Sequence, residues 1–261
     1  NYSKGSVYYV EPSETPYEFK FETIDDKGVK KQLKTKGILS YLYFEDDKII
    51  IDEVSSKERL GKFFDEETKF RSNSMQKSLA GYVAGYAICE GYIDSIDSRI
   101  NDWNKIKKTL YHDQKLIDLL NMTAGDQKYA YNSSILKKGS FLADGSQYSN
   151  GFIDMYDVGL LAMNYFRNTK PSENRMYNYN VMNTKLILNY ILFKVGEEKF
   201  QDLLDKAFRE KARIKDGVYF YSIMGNKQSG IENMFYATRL DYLRIAKSIM
   251  DEYQNDTCFG K

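Results

Sequence analysis

The order of apolar and polar positions along the chain predicts its main elements. Residues 70–91 open with a polar turn, Arg71-Ser72-Asn73, and then place Met75, Leu79, Tyr82, Val83 and Tyr86 at helical spacing. That spacing predicts a helix with a buried face. Ala80, Gly81, Ala84, Gly85 and Ala87 lie between them, so a neighbouring element can approach closely. The run is too short, and too interrupted by Glu90, to span a membrane. Upstream, two β-rich runs, 37–44 and 49–54, are separated by Glu45-Asp46-Asp47-Lys48. This pattern predicts a hairpin.

Weaker signals fill in the rest. Residues 7–10 and 17–23 read as strands, Asp26-Lys27-Gly28 as a turn and 55–65 as a charged connector. Residues 92–100 are turn-rich, with Asp94 and Asp97 as turn residues. Helices are expected over about 113–122, over 154–168 with Asp154 as cap, over 176–192 ending near Gly196, over 197–209 and over 236–253. Residues 127–150 read as loop, Lys215-Asp216-Gly217 as a turn and 218–223 as a strand. No internal repeat or low-complexity linker is visible. The expected architecture is a single α+β domain over 1–261. In it an antiparallel sheet contains the 37–54 hairpin, helices flank that sheet, and a mostly helical and loop region is inserted over about 91–175.

Composition narrows the function. The chain has 261 residues, 42% hydrophobic, which allows a core of ordinary size. A formal net charge of +1 argues against nucleic acid as the main partner. With a single histidine, His112, a His-rich metal site is excluded, and a Ser-His-Asp triad would have to use that residue. The two cysteines, Cys89 and Cys258, suggest neither a disulfide framework nor a metal-ligand cluster, and Cys89 reads as a small core residue. Neither a signal peptide nor a transmembrane segment is visible. The chain starts at Asn1 and not Met, which is compatible with a removed export signal. Oligomeric state does not follow from these residues.

The candidate chemistry sits in the first turn of the residue 70–91 segment, at Ser74-Met75-Gln76-Lys77. A residue and its third neighbour share a helix face, so the Ser74 hydroxyl and the Lys77 amine can meet. Backbone N–H groups at a helix start are unpaired and lie at the positive end of the dipole, which favours an oxyanion. A lysine buried there would have its pKa lowered toward the neutral form that accepts a proton. Ser134-Ile135-Leu136-Lys137 has the same spacing but leads into no apolar helix. Gln76 is a candidate substrate contact or a solvent-facing helix residue, and Trp103, Tyr129 and Tyr131 read as core or rim.

Three further stretches stand in a telling order. Glu90-Gly91-Tyr92-Ile93 is followed by Asp97, residues 116–125 read LIDLLNMTAG, and Tyr179-Asn180-Val181-Met182-Asn183 precedes an apolar helix. With the Ser74 helix, they make the chain resemble the serine β-lactamase and penicillin-binding-protein superfamily. The nearest branch is the class C β-lactamase-like group of esterases, D,D-peptidases and 6-aminohexanoate-dimer hydrolases. The stretch ending in Met122-Thr123-Ala124-Gly125 is the most specific match.

The resemblance implies a β-lactamase/transpeptidase-like fold and a serine hydrolase acting through an acyl-enzyme. Ser74 would be the nucleophile, Lys77 its base partner and Tyr179 the acid/base. Gln76 and Asn183 would contact a small amide, ester or peptide substrate. No metal or organic cofactor is implied, and the location would be periplasmic or secreted. Val181 departs from the family pattern, which has an amide side chain there. Tyr148-Ser149-Asn150 fits the family triplet literally, but no apolar helix follows it, so Tyr179 is preferred. The late Lys/His-Thr/Ser-Gly strand motif has no match, and the family's last strands, which follow the helix expected over 236–253, are missing from this chain. Alternative readings are a D,D-carboxypeptidase or penicillin-binding protein, and a non-catalytic binding protein of the same fold.

Overall fold

The computed structural model describes residues 6–127, 158, 166–223, 227 and 230–260. Its strands are β1 (Val7–Val10), β2 (Lys20–Phe21), β3 (Ser40–Glu45), β4 (Lys48–Val54), β5 (Phe70–Arg71), β6 (Val218–Ser222) and β7 (Ile231–Ala237). Its α-helices are α1 (Lys27–Thr35), α2 (Gln76–Cys89), α3 (Leu116–Leu120), α4 (Val181–Val195), α5 (Glu197–Leu204) and α6 (Arg239–Gln254). The class is α+β, with an antiparallel four-stranded sheet in the order β1-β6-β7-β5.

Helix α4 is the central element. Met182, Leu186, Leu188 and Ile191 are fully buried, and α4 packs on α2, α3 and β7. Helix α2 packs on α4 and also reaches β7. Its small residues make that approach feasible, as Ala80, Ala84 and Ala87 are all buried. Burial of apolar surface on this scale is the main favourable contribution to folding.

The hairpin forms, but outside the main sheet. Strands β3 and β4 pair antiparallel, and β2 adds in parallel to β4, giving a separate three-stranded sheet in the order β2-β4-β3. The alternation of β3 explains this: Tyr41 and Tyr43 face out and only the opposite face is half-buried. Strand β6, in contrast, is buried at nearly every position. Arg239, at the start of α6, ties the small sheet to the body through Asp52 and Glu66.

Other expectations need correction. Asp26 does not head a turn but caps α1, its carboxylate accepting from the Val29 N–H at 2.8 Å. The strand expected over 17–23 is reduced to Lys20–Phe21, and the helix over 113–122 to Leu116–Leu120. Residues 236–253 divide between the end of β7 and α6, with Thr238 as N-cap between them. Beyond Leu204 the predicted helix continues as a π-helical turn, Asp205–Lys211. Cys89 is not a free core residue: it forms a disulfide with Cys258, joining the C-terminal end of α2 to the segment after α6. The loop expected over 127–150 and the helix over 154–168 lie almost wholly outside the described residues.

Candidate active site

The turn that carries Ser74 is held from β7. The Ser72 N–H donates to the Phe235 carbonyl at 2.8 Å, and the Phe235 N–H donates to Ser72 Oγ at 3.2 Å. Asn73 follows in the left-handed region at φ 45°, which asparagine tolerates better than most residues. Ser74 therefore sits in a 3-10 turn, Asn73–Met75, directly ahead of α2, and is exposed. Lys77 lies in the first turn of α2 and is half-buried.

Tyr179 reaches the same place from the other side, on the extended segment that enters α4. The Asn178 N–H donates to the Met122 carbonyl at 2.8 Å, and Asn180 caps α4 by accepting from the Asn183 N–H at 3.2 Å. Between these anchors the Tyr179 hydroxyl donates to Ser74 Oγ at 2.7 Å. The Lys77 ammonium lies over the Tyr179 ring, 4.4 Å from its centroid. Hydrogen bonding from Lys77, and then from Ser74, holds the Tyr179 phenol below its ordinary value. The three side chains thus converge, and a phenolate here would have a cation and a hydroxyl as its neighbours.

Two other expected site residues are buried. Gln76 is 1% exposed and Asn183 0% exposed, so neither lines the open surface around Ser74. Both amide atoms of Asn183 lack a hydrogen-bond partner among the described residues. Trp103 is core, stacked on Phe193. Tyr129, Tyr131, Ser134, Lys137 and Tyr148 lie outside the described residues. A groove of about 300 Å³ runs beside Met75, between Leu39 and Leu42 on one side and Phe70 and Tyr242 on the other. A larger surface cavity of about 730 Å³, lined by Val195, Glu197 and Lys199, gathers no nucleophile with a base. Among the described residues no cluster of His, Cys, Asp or Glu could hold a metal ion, and no helix is long and apolar enough to cross a membrane.

One residue of the site's support was not apparent from sequence. Asp126, 0% exposed, accepts from Tyr111 Oη at 2.9 Å, Asn178 Nδ2 at 2.8 Å and Asn180 Nδ2 at 3.0 Å. Burial raises its pKa, while the hydrogen bonds from Asn178, Tyr111 and Asn180 oppose that rise. Gly125 makes the position reachable. Its φ is +75°, and a Cβ there would come within 3.0 Å of Pro171 Cβ and of the Ser172 nitrogen. The sequence signal was the glycine of the Thr123-Ala124-Gly125 stretch; nothing in it marked the aspartate that follows.

No family model matches this chain, and no curated protein matches it. Solved structures do. One is described as "Putative 6-aminohexanoate-dimer hydrolase from Bacillus anthracis"; the match has a TM-score of 0.67 at 14% identity and covers 94% of this chain. The fold is β-lactamase-like. The present chain spans 66% of that protein's length. At this identity the β-lactamase-like likeness carries the fold, and the chemistry has to be argued from the side chains.

Proposed function

We propose that this protein is a serine hydrolase that cleaves an amide or ester bond of a small substrate through an acyl-enzyme on Ser74. The observation that carries the reading is the 2.7 Å hydrogen bond between Tyr179 and Ser74, with the Lys77 ammonium against the same phenol ring. A serine hydroxyl is a weak nucleophile and needs a base within hydrogen-bond reach. Here Tyr179, as phenolate, takes the Ser74 proton while Ser74 Oγ attacks the substrate carbonyl. The oxyanion that forms gains from the positive end of the helix dipole at the start of α2. Tyr179 then gives the proton to the leaving amine or alcohol. In the second half it draws a proton from water, the hydroxide attacks the acyl carbon, and as the acyl–oxygen bond breaks Tyr179 returns the proton to Ser74 Oγ. Lys77 holds the phenolate charge throughout.

The solved structural neighbour is described as a putative 6-aminohexanoate-dimer hydrolase, which is compatible with this reading but says nothing of this chain's own substrate. A D,D-carboxypeptidase would use the same three side chains. A fluorescent penicillin that labels strongly and leaves slowly would favour that variant. Val181, a hydrocarbon where the related pattern has an amide, favours a second reading, a binding protein without turnover. The test compares ester hydrolysis by the full-length protein and by its Ser74→Ala variant. Loss of turnover in the variant supports the hydrolase, and equal rates remove Ser74 as nucleophile.

A further inference from the structure

We propose that Asp126 is a positioning residue for Tyr179: its buried carboxylate clamps the side chains of Asn178 and Asn180 and so fixes the phenol between them against Ser74 and Lys77. The proposal rests on the reading of Ser74 as nucleophile only for its catalytic consequence; the clamp itself is a matter of geometry.

Tyr179 lies on an irregular segment, where no helix or strand ladder holds its backbone. What does hold it is a set of anchors on the adjacent residues. Asn178 Nδ2 reaches Asp126 Oδ1 at 2.8 Å, and Asn180 Nδ2 reaches Asp126 Oδ2 at 3.0 Å. One carboxylate thus grips the residue before Tyr179 and the residue after it. Asn180 also turns its own carbonyl oxygen to the start of α4, accepting from the Asn183 N–H. The clamp therefore ties the phenol to the helix register as well. Tyr111 Oη completes the set at 2.9 Å from Oδ2.

The chemistry of the partners calls for an acid at this position. All three are donors, and an ionised carboxylate is acceptor-only with about four lone-pair sites. An asparagine would offer one acceptor oxygen and would set its own N–H groups either against Asn178 or against Asn180 and Tyr111. A fully buried carboxylate without partners would be costly, so the three donors are also what allows Asp126 to be there. Gly125 is part of the device, since its left-handed backbone turns the chain inward beneath Pro171 and Ser172. Asp126 touches neither Ser74 nor Lys77, so it acts through Tyr179.

The experiment reads the Tyr179 phenol directly. The full-length protein is titrated by ultraviolet difference absorbance, with Tyr179→Phe as the blank, in wild type, Asp126→Asn and Asn178→Ala. A phenol that drifts from the Lys77 ammonium loses the interaction that lowers its pKa, so its midpoint should rise in both variants. The acid limb of the pH–rate profile should move with it. A merely structural role would reduce the folded fraction and leave the midpoint in place. Asp126→Asn that folds with an unchanged midpoint overturns the proposal. Should Asp126→Asn fail to fold, Asn178→Ala decides by the same readout, a rise supporting the clamp and an unchanged midpoint overturning it. Labelling by a serine-reactive fluorophosphonate runs alongside. Absence of label on wild type would remove the hydrolase reading, with the clamp still judged by the titration.

Discussion

Breaking the disulfide should cost this protein a large share of its stability. Cys89 and Cys258 are 169 residues apart in sequence, so their bond closes most of the chain into one loop. In the chain-entropy treatment, a loop of that length removes roughly 17 cal/mol/K from the unfolded ensemble, about 5 kcal/mol at 25 °C. Typical domains have a total stability of about 5–15 kcal/mol, so the loss would be felt. A local effect adds to it. Phe259, next to Cys258, packs edge-on against Tyr82 and stacks on Tyr86 at a centroid distance of 5.6 Å. Gly85 leaves room for that ring, since a Cβ there would overlap it. Without the bond these contacts lose their tether. The assay is equilibrium urea unfolding of the oxidised protein against the Cys89→Ser/Cys258→Ser variant. The expected result is a fall in midpoint corresponding to about 3–5 kcal/mol, with secondary structure retained in the absence of urea. A difference below about 1 kcal/mol would refute the reasoning, because it would mean that the loop is already closed in the unfolded state by other contacts.

Further outcomes follow from the site. Lys77→Ala should move the acid limb of the pH–rate profile upward: Tyr179 is held below its ordinary value mainly by Lys77, activity appears as pH rises through that depressed value, and without the cation the rise comes later. Tyr179→Phe keeps the ring over Lys77 but removes the hydroxyl on Ser74. Turnover should fall roughly 10²–10⁴-fold with the melting temperature little changed. Gly125→Ala forces a side chain into a backbone at φ +75° against Pro171 and Ser172, and should destabilise by about 1–3 kcal/mol in a thermal melt. The raised pKa of Asp126 means that the folded state binds the extra proton just above the ordinary carboxylate range, so stability should decline as pH rises through that window. In Asp126→Asn that slope should vanish.

Much of this could be read from sequence where a pattern repeats along the chain. The hairpin was legible because two β-rich runs flank a polar stretch, of which only Asp46 and Asp47 form the turn between β3 and β4. Helices α2 and α4 were legible because long apolar runs follow polar starts, and those starts carry Ser74 and Tyr179. What was missed depends on contacts distant in sequence or on single residues. Helix α1 buries only Leu33, so it has almost no apolar stripe to reveal it, and its cap Asp26 reads as a turn beside Gly28. The sheet partners of the hairpin could not be read, since alternation fixes a face and not a neighbour. Two lone cysteines 169 residues apart give no spacing signal for a bond. Asp126 was hidden for the same reason: its partners Asn178 and Asn180 lie more than 50 positions along the chain, at separations of 52 and 54. Gln76 was drawn from its place at a helix start and Asn183 from the family resemblance; neither tells which way a side chain turns, and both are buried.

The claim on which the rest depends is that the Ser74 oxygen becomes acylated. Intact-protein mass spectrometry after incubation with a fluorophosphonate or an activated ester, followed by peptide mapping, tests it directly. The account predicts one adduct, on the peptide that contains Ser74, absent from Ser74→Ala and slowed in Tyr179→Phe. An unmodified wild-type protein, or an adduct that persists in Ser74→Ala, would contradict it.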